Sequence, residues 1–282
     1  MNHNFLDYLK GTAMKNKTVI TLMTDFGVVD GFVGVMKGVI LQIAPDSRMI
    51  DVTHDIPPFS ITSAAFLNEW SFGYFPVGSV HLCLVDPGVG TDRRILITET
   101  CGHIFVAPDN GLLTPIFERP EPVRIINAVN QRYWMDKISH TFHGRDIFAP
   151  LAAHIASGVA IDEMGEEIND PLKMSFKQPV VAADSIECRV CHIDRFGNLI
   201  TNLDQPTFLQ WIKDNNLNQD DIIVQSHNYS IDGITQAYGI KNQGDMLAVF
   251  DGYDRLEIAI NGGSASHITG LGFDAPVYIR IA

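Results

Sequence analysis

The feature that most constrains this fold is an apolar run, residues 80–85, that delivers a carboxylate, Asp86, into a tight turn. Pro87, Gly88 and Gly90 belong in a turn and not in a strand interior, so the strand ends at Asp86. Two arginines, Arg93 and Arg94, follow on the far side. A carboxylate at the carboxyl end of a strand, beside a cation carried on a loop, is how open α/β sheets build sites. Alone, the pattern reads equally well as an ordinary Asp-Pro-Gly turn with two solvated arginines. It gains meaning because neighbouring stretches repeat it.

The strand at residues 18–23 ends in Thr24-Asp25-Phe26-Gly27. A glycine-punctuated apolar segment, residues 31–43, stops before Pro45 and reads as a buried helix following a parallel strand. Asp30 falls where that helix begins, and either caps it or accepts bonds from a ligand's hydroxyls, as Asp25 can. A second strand, residues 48–52, runs into a loop holding Asp51, His54, Asp55, Pro57, Pro58 and Phe59, after which Ser60 caps a helical stretch to residue 74. Residues 95–100 and 103–106 form a hairpin turning at Cys101-Gly102, and Ala107-Pro-Asp-Asn-Gly111 makes a polar turn before a short helix from Leu112. Residues 123–127 are a further strand. Phe142-His143-Gly144-Arg145-Asp146 opens an alanine-rich helix, and a helix amino terminus favours anionic species. Strands alternating with helices to about residue 158 predict an α/β domain, residues 17–178, with a mostly parallel sheet covered by helices on both faces.

From about residue 180 short β runs separated by Gly, Asn and Asp replace that alternation. They predict a smaller antiparallel β-barrel domain, residues 179–282, after a linker at residues 170–179. Within it Asp194-Arg-Phe196-Gly-Asn198-Leu-Ile-Thr-Asn202 is either a polar turn or a purine site, with a stacking ring and an amide able to pair with adenine.

Composition narrows the partners. The 282 residues are 46% hydrophobic, enough for one large or two smaller cores, yet no apolar run approaches the roughly 20 residues of a membrane helix. Residues 1–16 read as a loose polar tail without the apolar core of a signal peptide, with Met14 a candidate start, so a cytoplasmic location is expected. A net charge of −13 argues against nucleic acid, whose binding needs phosphate neutralisation, and suits a cationic small molecule. Four cysteines are too few for a disulfide scaffold. Cys188-Arg-Val-Cys191-His192 matches a haem-attachment pattern, but it lies in a predicted strand, where residues three apart face opposite sides, so buried or edge thiols are expected instead. Asp25-Phe26-Gly27 occurs in kinases, and nothing else of a kinase is present.

Taken together, Thr24-Asp-Phe-Gly27 with Asp30, Met36-Lys-Gly-Val-Ile40, Asp51-Val-Thr-His54, Val85-Asp-Pro-Gly-Val-Gly-Thr91, Ala107-Pro-Asp-Asn-Gly111, Phe142-His-Gly-Arg-Asp146 and Phe196-Gly-Asn198 resemble, in order, the S-adenosylmethionine hydroxide adenosyltransferases, relatives of the fluorinases and chlorinases. The likeness spans about residues 17–270. It implies a homotrimer in which the α/β domain of one subunit meets the barrel of its neighbour around S-adenosylmethionine. It also implies attack of water at ribose C5′, giving adenosine and L-methionine, with S-adenosylmethionine as substrate and no cofactor or metal.

By the same resemblance the catalytic residues are Asp86, Arg93 and His143. Asp25 holds ribose hydroxyls, Phe59 walls the ribose, Asp194 meets the methionine ammonium, and Phe196 and Asn198 hold adenine. A sulfonium leaves as a neutral thioether, so no general acid is needed. Asp86 or His143 accepts the proton of water, and Arg93 stabilises developing hydroxide character. Halide-using relatives carry Tyr, Thr and Ser at the positions of Asp86, Val89 and Gly144, and a carboxylate there would repel a halide. The serine expected to bind the substrate carboxylate is replaced by Gly252 within Asp251-Gly-Tyr253-Asp254-Arg255, leaving backbone amides, Tyr253 or Arg255 as substitutes, or a sulfonium epimer or modified adenosyl compound as substrate. Three other readings remain: a metal-dependent phosphoesterase using Asp25, Asp30, His54, Asp86 and His143, a halogenase, or a non-catalytic adenosine-binding or S-adenosylmethionine-binding protein.

Overall fold

The computed structural model describes residues 18–282; the expected tail, residues 1–16, lies outside them. The chain divides into two compact units between Met174 and Ser175.

The first unit is built on a seven-stranded sheet of β1 (Val19–Thr24), β2 (Arg48–Thr53), β3 (Val80–Leu84), β4 (Ile95–Thr100), β5 (His103–Pro108), β6 (Arg124–Asn127) and β7 (Glu166–Ile168). Its order is β2-β1-β3-β5-β4-β6-β7. Strands β1 and β3 carry side chains to two cores in alternation. Ile20 and Leu22 of β1 and Val80, Leu82 and Leu84 of β3 enter one core, while Met23 and Cys83 enter the other. Period-two alternation of apolar residues on both faces is what a doubly covered sheet requires. Helices α1 (Phe32–Ile43) and α4 (Ala149–Ala156) cover the first face. The other carries α2 (Ile61–Ser71) and the single turn α3 (Thr114–Phe117). Ser60 caps α2 as the sequence predicts, its hydroxyl accepting the Ser63 amide.

Two expectations need refinement. The sheet is mixed: β2, β1, β3 and β5 pair in parallel, whereas β5, β4, β6 and β7 pair antiparallel. The cause is the two-residue turn at Cys101 (φ 53°) and Gly102 (φ 76°), whose left-handed backbone folds β4 directly onto β5. Helix α1 is also buried on one side only. Val33, Met36, Val39 and Ile40 face the core, while Phe32, Val35 and Leu41 remain exposed. Gly31 precedes α1 without a side-chain cap, so Asp30 does not cap it.

The second unit is an antiparallel, nearly closed sheet of β9 (Ser185–Ile193), β10 (Leu199–Asp204), β11 (Ile222–Ser226), β12 (Tyr229–Asp232), β13 (Met246–Phe250), β14 (Arg255–Ile260) and β15 (Pro276–Ile281), in the order β12-β11-β15-β9-β10-β14-β13. The short β8 (Val180–Val181) pairs with β9 off that path. Alternate residues of β9, β14 and β15, among them Ile186, Cys188, Leu256, Ile258, Val277 and Ile279, fill its core. Helix α5 (Gln205–Asp214) adds Phe208, Trp211 and Ile212, and α6 (Ala265–Thr269) is a short turn near its end. All four cysteines are free. Burial pushes the Cys188 and Cys191 thiols up to about 12, which makes them inert packing groups.

Candidate functional site

The carboxyl ends of the parallel strands bring the predicted residues of the first unit together. Asp86 leaves β3, and Asn110 ties the end of that strand to the next turn by donating to the Val85 carbonyl at 2.8 Å. The chain then doubles back through Gly90, whose backbone is left-handed (φ 81°). A Cβ at Gly90 would lie 2.4 Å from the His140 carbonyl oxygen, so only glycine lets this loop close against the segment carrying His143.

Arg93 donates its Nε to both Asp86 oxygens, at 2.7 and 2.8 Å, and its Nη2 to Oδ2. The side chains are 8% and 6% exposed, so this is a buried, multiply hydrogen-bonded pair. The Phe148 ring lies under the guanidinium, 5.1 Å from ring centroid to Cζ. The same Nη2 reaches His143 Nδ1 at 3.0 Å. Arginine can only donate, so Nδ1 accepts, and the neutral imidazole carries its hydrogen on Nε2. Burial, then the Arg93 charge, lowers the His143 pKa, and this outweighs the opposing pull of Asp86 and Asp146.

His143 is held by a clamp the sequence did not reveal. It precedes a π-helical turn, Gly144–Phe148, which begins the helical stretch. Asp146 is 1% exposed and accepts the Ser139 amide and hydroxyl, at 2.8 and 2.7 Å, and the Arg145 Nε at 2.6 Å. Burial opposes ionisation of Asp146, but Arg145 and Ser139 together hold its carboxyl below the usual range. Arg94, adjacent to Arg93, turns away to Asp109 and Asp170 and joins the structural frame.

The other predicted residues of this unit are placed differently. Asp25 accepts the Phe59 amide at 2.8 Å. Phe59 is left-handed (φ 66°) and 72% exposed, a conformation costing roughly 1–2 kcal/mol in a non-glycine residue. The bond to Asp25 offsets that strain and pins the Phe59 loop beside the end of β1. Asp30 is exposed. His54 is buried; its Nδ1 meets the Thr24 hydroxyl at 2.9 Å and its Nε2 lies 3.1 Å from Asp51, which also accepts Lys37. It therefore ties two strand ends together. Of the five residues of the phosphoesterase reading, Asp25 and His54 are engaged elsewhere, Asp30 is exposed, and only Asp86 and His143 come together, through Arg93; among the described residues no three His, Cys, Asp or Glu side chains gather as a metal-ligand group.

In the second unit Asp194, Phe196 and Asn198 line a cavity of about 490 Å³ with Tyr238, Ile260, Asn261, Gly262 and Gly263. Asp194 shapes its rim by accepting the Phe196 and Asn198 amides and the Asn198 side-chain amide. That leaves the Phe196 ring 76% exposed and Asn198 buried. Gly197 is left-handed (φ 82°), and a Cβ there would meet the Ser264 hydroxyl at 2.0 Å. Tyr238 and its partner Glu257 went unnoticed in the sequence; a lone carboxylate within the apolar run of β14 was the available signal.

The altered segment before β14 is occupied internally. Asp251 Oδ1 accepts the amides of Tyr253 and Arg255, at 2.8 and 2.9 Å, and Arg255 donates to the Asn202 carbonyl at 3.1 Å. These two amides and Arg255 are therefore already engaged. The Tyr253 side chain is 45% exposed.

A two-unit α/β and barrel chain with a hydrogen-bonded Asp–Arg–His set beside the end of β3 defines a class. The family models make it specific: the SAM hydroxide adenosyltransferase N-terminal domain matches residues 20–165 and the C-terminal domain residues 188–278. The chain belongs to that family. It is similar to a protein of Methanocaldococcus jannaschii named (R)-S-adenosyl-L-methionine hydrolase, 43% identical over 67% of this chain and 69% of the relative. A Salinispora tropica protein of the same name is 32% identical over 89% of this chain and 94% of its own length. Fluorinases are more distant, at 24–27% identity. Among solved structures, an uncharacterized conserved protein from Thermotoga maritima superposes with a TM-score of 0.86 and 33% identity, covering 93% of this chain and all of that one.

Proposed function

We propose that this chain hydrolyses S-adenosyl-L-methionine, with the R-sulfonium epimer as substrate, to adenosine and L-methionine. The observation that carries the reading is the hydrogen-bonded Asp86–Arg93–His143 set in a chain of this family. The epimer is suggested by the name its nearer relatives share.

The chemistry follows from the bonds. As the oxygen of water bonds to C5′, the C5′–S bond breaks and sulfur takes the electron pair, leaving as a neutral thioether. The proton of water goes to Asp86. His143 offers no free lone pair, because Nδ1 accepts Arg93 and Nε2 carries the hydrogen, so it serves as a hydrogen-bond donor that orients water. Arg93 steadies the carboxylate and the developing hydroxide. In-line positioning supplies the rest. Asp25, Asp30 and Phe59 face the ribose, Asp194 the methionine ammonium, and Phe196 and Asn198 the adenine, with Tyr253 at the methionine end. The reaction as written calls on no cofactor.

Hydrolysis is favoured over halogenation by Asp86 and also by Gly144. A Cβ at 144, as in the serine of halide-using relatives, would lie 2.7 Å from Leu84 Cδ2. The assembly we propose is a homotrimer in the cytoplasm. Exposed Val28, Val29, Phe32 and Val35 provide an apolar surface of the kind a subunit contact covers. No helix among the described residues is long and apolar enough to cross a membrane.

The test is to supply each sulfonium epimer separately to purified protein and quantify adenosine and methionine, with and without EDTA. Equimolar adenosine and methionine, formed faster from the R epimer and unaffected by EDTA, are expected. Loss of turnover in EDTA, restored by a divalent ion, would instead support the phosphoesterase reading. Tight binding without turnover would support a binding protein.

A further inference from the structure

Glu257 lies in β14, opposite Val249 of β13 and Ile200 of β10, and is 2% exposed. Its Oε1 accepts the Tyr238 hydroxyl at 2.8 Å, and Tyr238 is a wall of the cavity that Asp194, Phe196 and Asn198 line. The charges that bear on Glu257 are those of Asp194 and Asp251, both acidic. Asp251 Oδ2 is itself buried without a hydrogen-bond partner, an uncompensated oxygen of the sort that native proteins rarely leave unless something outside the chain answers it. Glu257 is buried, Asp194 and Asp251 bear on it, and Arg255 offsets part of the Asp251 charge; the negative field left over is one that a positively charged ligand relieves and a neutral one does not.

We infer that Glu257 is a specificity-determining residue of this cavity: ionised, and with Tyr238 held against it, it favours a positively charged adenosyl ligand over the neutral thioether counterpart. The inference rests on the proposed reading that the cavity takes an adenosyl group. It gives the site a means to prefer a sulfonium substrate over neutral nucleoside products. Burial pushes the Glu257 carboxyl up to about 7, the Tyr238 bond opposes that rise, and the like charges of Asp194 and Asp251 add to it. The preference therefore switches on as pH rises through neutrality.

Two ligands that the enzyme cannot hydrolyse isolate the effect. Sinefungin carries an amine in place of the sulfonium, and S-adenosylhomocysteine carries a neutral thioether; their amino-acid ends are the same, so titration of that end cancels in the ratio. Calorimetric dissociation constants are measured in a pH series from 6 to 8.5 for the unaltered protein, Glu257→Gln and Tyr238→Phe. The ratio of the two constants is expected to move about tenfold toward sinefungin at the higher pH in the unaltered protein, and less than twofold in Glu257→Gln. Tyr238→Phe, lacking the bond that favours the ionised carboxyl, is expected to shift the midpoint of that change to higher pH. A ratio that changes equally in Glu257→Gln, or a variant that weakens both ligands alike across the series, would overturn the inference. An unaltered protein that binds neither ligand would overturn the adenosyl reading itself, which is a separate result.

Discussion

Arg93 holds Asp86 with its Nε 2.7 and 2.8 Å from the two carboxylate oxygens, and directs the same guanidinium to His143 at 3.0 Å. One arginine thus sets the position of the carboxylate and the tautomer of the imidazole. Removing either acidic or basic member has consequences for stability as well as for rate.

Asp86→Ala leaves the Arg93 charge buried without its partner, which costs about 3–5 kcal/mol in comparable pairs. Asp86→Asn keeps the shape and an acceptor oxygen, so it is expected to unfold closer to the unaltered protein. Both are expected to lose about 10²-fold or more in kcat, since neither can take the proton. Thermal unfolding and adenosine release measured on the same samples separate the two effects. An Asp86→Asn protein retaining full turnover would move the proton acceptor elsewhere.

Gly90→Ala adds a Cβ 2.4 Å from the His140 carbonyl on a left-handed residue, so the loop must move. Because Asp86 and Arg93 flank this loop and His143 lies beyond His140, kcat is expected to fall by about tenfold or more, with much of the fold's stability kept. A variant with unchanged kcat would show that the approach of the two loops is unimportant.

Gly144→Ser, which introduces the residue of halide-using relatives, presses on Leu84 in a close-packed core. A loss of about 1–3 kcal/mol in urea unfolding is expected. No halogenated adenosine should form in chloride or fluoride while Asp86 remains, which mass spectrometry would reveal.

Acid sensitivity should come from the buried pair His81 and His103, joined at 3.0 Å between Nε2 and Nδ1. Burial, then the His103 charge, brings His81 down to about 3 from 6.5. Above pH 6.5 both states are neutral there and stability is unaffected. As pH falls from 6.5 toward 3 the unfolded chain takes up a proton that the folded chain refuses, so stability falls by at most about 1.4 kcal/mol per pH unit for this group. Urea midpoints at pH 7.5 and 5 should differ less in His81→Gln than in the unaltered protein. His143 is also lowered, so the acid limb of activity attributable to it should lie below 6.5.

What the sequence disclosed depends on how local the signal was. Asp86 was readable because a proline–glycine turn fixes where β3 ends, and Ser60 because a cap needs only its own helix. The choice between Arg93 and Arg94 was not readable from local pattern, since the partner that draws Arg94 away, Asp170, is 76 residues distant. Strand β10 hid inside a stretch that looks like a polar turn; its Leu199, Ile200 and Thr201 are buried by pairing with β9 and β14, which no local pattern contains. Helix α1 looked buried because Phe32, Val35 and Leu41 are apolar, yet each stays about half exposed, Phe32 with only its ring against Phe26 and Phe142. His54 looked like a ligand and proved to be a tie between strand ends.

The most direct test of water attack at C5′ is a single turnover of the R epimer in ¹⁸O-labelled water, with products read by mass spectrometry. The account predicts one label in the 5′-hydroxyl of adenosine and none in methionine. Label in methionine, or unlabelled adenosine, would place bond cleavage elsewhere and contradict it.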